Sequence, residues 1–94
     1  MEPMLKPGKL YRLKEQYKNK ARFLIVEEDT KKECFVFSSE SFVSLDNEVF
    51  MFIDIKKVFY NWQYTPLRSI FLLRNDFFST DNMGHSCFEL VTQC

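Results

Sequence analysis

The side chains in this chain that could carry out metal-binding or nucleophilic chemistry are Cys34, His85, Cys87 and Cys94. His85-Ser86-Cys87 with Cys34 and Cys94 would supply four ligands. Their spacing matches no recognised zinc pattern, and there is no Cys-x-x-Cys. Cys34 stands in an apolar run and reads as a small buried hydrophobe, and Cys94 reads as exposed. A Cys87–His85 pair on one short loop lacks a third group to orient it. Asp54, Asp76, Asp81 and Glu89 show no pairing by spacing, and two glycines are too few for a phosphate-cradling loop. The sequence therefore predicts no enzyme, no cofactor and no metal.

Two other groups could bind a macromolecule. Tyr60, Trp62 and Tyr64 stand at alternate positions, with Asn61, Gln63 and Thr65 between and after them. In an extended segment they share one face. Such a row could stack bases or grip an extended peptide, because flat rings give large contact area for little entropy. The alternative is that the rings pair with neighbouring strands or complete the core. The second group is a basic opening: Lys6, Lys9, Arg12, Lys14, Lys18, Lys20 and Arg22, with Tyr11 and Tyr17 interleaved. It could contact phosphates, or form a solvated face that balances acidic hairpins. Tyr60, Trp62, Tyr64, Arg12, Lys14 and Arg68 are the predicted partner-binding residues.

Charge and composition bound the classes. The 94 residues fit a single domain spanning 1–94, with 46% hydrophobic and 17% aromatic residues, eleven of them phenylalanine. Disordered chains are poor in aromatics. The formal net charge is zero, so bulk charge makes no case for a nucleic-acid or membrane partner. The distribution is uneven. Residues 1–22 carry seven Lys/Arg against two Glu, residues 23–54 eight Asp/Glu against two Lys, and the remainder four basic against three acidic. An odd, widely spaced set of three cysteines suggests reduced thiols and a cytoplasmic setting. A charged opening without an apolar h-region predicts no signal peptide, and no apolar run reaches bilayer length.

The elements that would position these residues are short strands. Pro7-Gly8 is a turn signal; Lys9–Lys14 follows as a short strand with Tyr11 and Leu13 on one face. Glu15–Lys20 reads as a loop with room for one helical turn. Ala21–Glu27 reads as a strand covered on both faces, and Glu33–Ser38 as a third, with an irregular or bulged extension to Ser44. Val49–Tyr64 is the longest β-branched and aromatic run. Val49, Met51, Ile53 and Ile55 put odd positions on an apolar face; after Lys56-Lys57 the set moves to Val58, Tyr60, Trp62 and Tyr64. A phase change moves the set to the other face unless a bulge absorbs it. Ile55, Val58, Phe59 and Trp62 also fit helical spacing, but these residue types prefer strands. Ser69–Leu73 and Phe77–Ser79 make a hairpin about Arg74-Asn75-Asp76. Thr80–Ser86 is a loop or a 3₁₀ turn, and Cys87–Val91 is a last strand.

Lys6-Pro7-Gly8-Lys9-Leu10-Tyr11 resembles the entry of small SH3-like barrels, as does the closing Cys87-Phe88-Glu89-Leu90-Val91. Phe71–Phe78 is similar to their second-to-last hairpin. Short barrels of this kind occur among accessory proteins of tailed bacteriophages. The resemblance implies a mainly β fold: a small antiparallel SH3-like barrel of five to six strands, with room for one short helix between residues 55 and 74. It departs from that pattern in the long segment Phe59–Ser69. The implied function is a non-enzymatic binding module, a phage or mobile-element accessory protein that engages a host protein in the host cytoplasm. The alternatives are nucleic-acid binding through the basic opening and the aromatic row, and self-association into a homo-oligomer that binds a ligand.

Overall fold

The computed structural model describes residues 5–31, 34–81 and 85–91. The chain is mainly β, and its described residues form nine strands in one sheet. They are β1 (Leu10–Leu13), β2 (Phe23–Asp29), β3 (Cys34–Val43), β4 (Phe50–Lys56), β5 (Val58–Tyr60), β6 (Gln63–Tyr64), β7 (Arg68–Leu73), β8 (Asp76–Asp81) and β9 (Phe88–Leu90). Their order is β6-β5-β3-β2-β8-β7-β4-β1-β9. All neighbours run antiparallel except β3 and β5, which are parallel. Nine strands exceed the five to six expected, mainly because Val49–Tyr64 divides into three. The room left for a helix between residues 55 and 74 is filled by the end of β4 and by the whole of β5, β6 and β7. Single 3₁₀ turns, Glu15–Tyr17 and His85–Cys87, fall in the two polar segments where one turn was expected. No helix among the described residues is long and apolar enough to cross a membrane.

Local chemistry explains the start. Gly8 takes φ +85°, a left-handed conformation glycine adopts without a Cβ clash. Its amide then donates to the Phe52 carbonyl at 2.8 Å. That turn lays β1 against β4, with Tyr11 and Leu13 buried and Arg12 exposed between them, as the alternation predicts. β3 continues to Val43 as one irregular strand. Its register to β2 jumps from Val26↔Phe37 to Leu24↔Phe42, so the residues between form the expected bulge.

β4 differs from the odd-position face read in the sequence. Phe50 and Phe52 are the core residues, while Val49 is 40% exposed. Phenylalanine outweighs Val and Met in buried area, and the even set decides the face. The phase change comes early. Register to β7 shifts between Phe52 and Asp54, so Ile53 turns to one cluster while Ile55 returns to the cluster of Phe52.

Two clusters fill the fold. The larger gathers Tyr11, Leu13, Phe23, Phe50, Phe52, Phe71 and Phe88, with Cys87 and Leu45. The smaller holds Val26, Phe35, Val58 and Ile70, packed by Phe37, Ile53 and Phe77. Neighbours Ile70 and Phe71 belong to different clusters, so the clusters take opposite faces of β7. This makes β7 and β8, more than β2, the strands covered on both sides: Ser69-Ile70-Phe71 and Phe78-Ser79-Thr80 are each three consecutive buried residues. Two of the buried hydroxyls have partners within the fold. Ser79 Oγ accepts from Arg68 Nε at 2.7 Å, and the Thr80 hydroxyl donates to the Arg22 carbonyl at 3.1 Å.

One residue governs the shape. β4 and β5 are separated by Lys57 alone, a reach of about 7 Å from Lys56 to Val58. Yet four strands lie between them in the sheet order. The run β5-β3-β2-β8-β7-β4 must therefore curl until its two outer strands meet end to end. The smaller cluster draws on all six of these strands.

Candidate functional site

β5 and β6 form a hairpin at one end of the sheet order, seated by the parallel pairing of β5 on β3, Phe35↔Val58 and Val36↔Phe59. Val58 is fully buried and fixes the base. Thr65 closes it: its amide donates to the Val58 carbonyl at 2.8 Å, its Oγ1 accepts from the Val58 amide at 3.1 Å, and its hydroxyl donates to the Pro66 carbonyl at 2.8 Å. Substituting Thr65→Val should remove the side-chain half of this clamp at a cost of about 1 kcal/mol. Amide hydrogen exchange should speed up at Val58–Tyr64 while β7 and β8 keep their protection.

The connection between Tyr60 and Gln63 has two residues, and both have positive φ: Asn61 at 53° and Trp62 at 69°. This is the signature of a type I′ turn. Asparagine tolerates that conformation, but the second position favours glycine, and for a bulky residue a positive φ is a true outlier. Trp62 is also 89% exposed, so no burial of the indole offsets the strain. Among the described residues the large exposed apolar side chains are Phe42, Val49, Tyr60, Trp62, Tyr64, Leu67 and Leu90. Four of these seven lie within residues 60–67.

The predicted row is not a row. A two-residue turn at Asn61-Trp62 reverses the chain, so Tyr60 pairs with Gln63 and Phe59 with Tyr64. Tyr64 and Phe59 share one face, with ring centroids 5.3 Å apart in edge-to-face contact. Tyr60 lies on the other, 5.1 Å from Phe37. The Arg68 guanidinium stands 5.4 Å from the Phe37 centroid and is held by Ser79. Trp62 sits at the tip beside Asn61, and both are exposed. The structure thus gathers Tyr60, Trp62, Tyr64 and Arg68 about one hairpin, as three directions rather than one face.

Arg12 and Lys14 are not brought to it by pairing, since β1 pairs with β4 and β9. Arg12 Nε contacts Glu89 Oε1 at 2.7 Å across β1–β9, both side chains largely exposed, a pair worth under about 1 kcal/mol. Lys14 is half-buried at the start of the first 3₁₀ turn, its amide donating to the Cys87 carbonyl at 3.0 Å. Lys18 meets Glu15 at 3.0 Å. The basic opening is therefore spread over separate local contacts.

Sequence reading missed Leu67, Phe37, Phe42 and the turn itself. Asn61 between apolar residues was the available signal, hidden because tryptophan and not glycine follows it. Of the thiols, Cys87 is buried in the larger cluster. Cys34 is half-buried beside an open cleft of about 380 Å³ with Glu28, Thr30, Phe35 and Lys56. Cys94 and the side chain of His85 lie outside the described residues. No family model, curated protein or solved structure matches this chain.

Proposed function

We propose that the chain is a non-enzymatic binding module that engages another protein through the Asn61-Trp62 hairpin. One observation carries this: an indole that is 89% exposed sits on a left-handed backbone, where glycine would cost less. Residues held in strained backbone cluster at binding and catalytic sites. Residues 58–67 contain no charge, and the strip combines Tyr, Trp and Asn, the composition of antibody paratopes. The hairpin is convex, so it serves as an anchor entering a pocket on the partner.

The finer fold belongs to the same proposal. A small barrel of SH3-like type, in the manner of tailed-phage accessory proteins, is supported by the Lys57 joint and by the six strands that share the smaller cluster. In that setting the partner is a host protein.

The test is capture of a partner by the tagged chain. Changing Trp62 and Tyr64 to Ala together should reduce capture at least tenfold and leave the circular dichroism spectrum unchanged. Unfolding of the variant would instead make these rings structural. Binding to an oligonucleotide that falls steeply with salt would point to phosphate contacts and favour nucleic acid.

A further inference from the structure

We propose that the Trp62 hairpin of one copy of this chain docks into the cleft between Arg22 and Phe42 of another, so that the chain self-associates through a knob and a socket. This rests on Trp62 being a docking ring and names a second copy as its occupant.

The socket lies past the bulge of β3. Leu24 and Phe42 are register partners and point away from the face of buried Phe23. Phe42 is consequently 57% exposed, with the Arg22 guanidinium 5.8 Å from its ring centroid. These two residues, with Ala21, Val43, Asn19 and Ser44, line an open cleft of about 330 Å³. That is the small end of ligand sites, suited to one side chain. Its wall is set in advance: Asn19 takes φ 68°, and its amide is held by Asp46 Oδ2 at 3.0 Å.

The chemistry of knob and socket is complementary. An indole entering the cleft meets the Phe42 ring edge-on or offset, as aromatic pairs prefer. Its π face meets the guanidinium, and tryptophan is the best aromatic partner for a cation. The indole N–H finds acceptors on Asn19 and Ser44 at the rim. The uncharged strip 58–67 brings no like charge toward Arg22, and a formal net charge of zero sets up no repulsion between copies. Trp62 at 89% exposure does not fill the cleft of its own chain. A single contact of this kind buries less than about 1,200 Å² in total, so the association is weak and concentration-dependent. It also competes with capture of a foreign partner, because one ring serves both.

Sedimentation velocity from about 10 μM to about 1 mM, the range in which so small a contact populates, tests this with the protein alone. The average mass of the wild type should climb to at least twice that of the monomer. Trp62→Gly, which lacks the knob, and Phe42→Ala, which lacks the socket, should each stay monomeric throughout. Mixed in equal amounts, they should regain a two-chain species, since one supplies the socket and the other the knob. Arg22→Ala is a second socket variant and should behave as Phe42→Ala does. A wild type that remains monomeric, a Trp62→Gly variant that associates like the wild type, or an inert mixture would each overturn the proposal. A monomeric wild type whose partner capture still requires Trp62 refutes the self-contact alone. A Trp62→Gly variant that captures partner normally refutes the docking ring itself.

Discussion

Replacing Trp62 with glycine is expected to stabilise the fold by about 0.5–1 kcal/mol while abolishing partner capture. The left-handed conformation costs a residue with a Cβ about 1–2 kcal/mol. Glycine removes that cost but loses about 0.4–1 kcal/mol through the greater freedom of its unfolded chain. Because the indole is almost wholly exposed, little burial is forfeited. In a domain of this size the gain corresponds to a rise in Tm of about 2–8 °C. Trp62→Ala is the control: it keeps the Cβ and its strain, so stability should barely move while capture is still lost. A variant that is more stable yet inactive is the pattern of a residue retained for function. A fall in stability on going to glycine would mean that the indole holds the fold together.

Phe71→Ala should have the largest effect on stability, destabilising the chain by about 3–5 kcal/mol. Phe71 is fully buried on central strand β7. Its ring lies 4.8 Å from Phe50, 5.0 Å from Phe88, 5.6 Å from Phe52 and 5.9 Å from Phe23, all tilted or edge-to-face. Truncation opens a cavity bounded by four rings from three other strands, whose backbones are tied into the sheet and cannot close on it. Domains are stable by about 5–15 kcal/mol in total, so the urea midpoint should fall by a large fraction, if the variant folds at all. Phe42→Ala, at an exposed ring, should stay within about 0.5 kcal/mol of wild type.

The contrast between Phe71 and Phe42 shows how far residue type reaches. Class was legible: β-branched and aromatic runs cut by polar turns become strands, and the alternation of Tyr11 and Leu13 gave the buried face of β1 correctly. Strand faces in β4 were not legible. Both parities there are apolar, and the choice was made by Phe50 and Phe52 meeting Phe71 across the sheet, a contact more distant in sequence than any window. The parallel β3–β5 pairing is of the same kind, since parallel partners are joined by a long connection that leaves no local trace. At the hairpin, spacing identified the right residues for the wrong reason. Tyr60, Trp62 and Tyr64 are exposed, but a strained turn and not a strand face exposes the tryptophan. Arg12 and Lys14 were grouped with them by charge alone, and strand pairing sends them to the opposite end of the sheet order.

The most direct test of docking at the hairpin is photo-crosslinking in the cell that naturally makes the chain. A photoreactive phenylalanine analogue would replace Trp62 in one sample and Leu90, an exposed residue on β9, in another. Docking through the hairpin predicts a discrete crosslinked protein band from position 62 and none from position 90. No product at 62, or the same products from both positions, would contradict it.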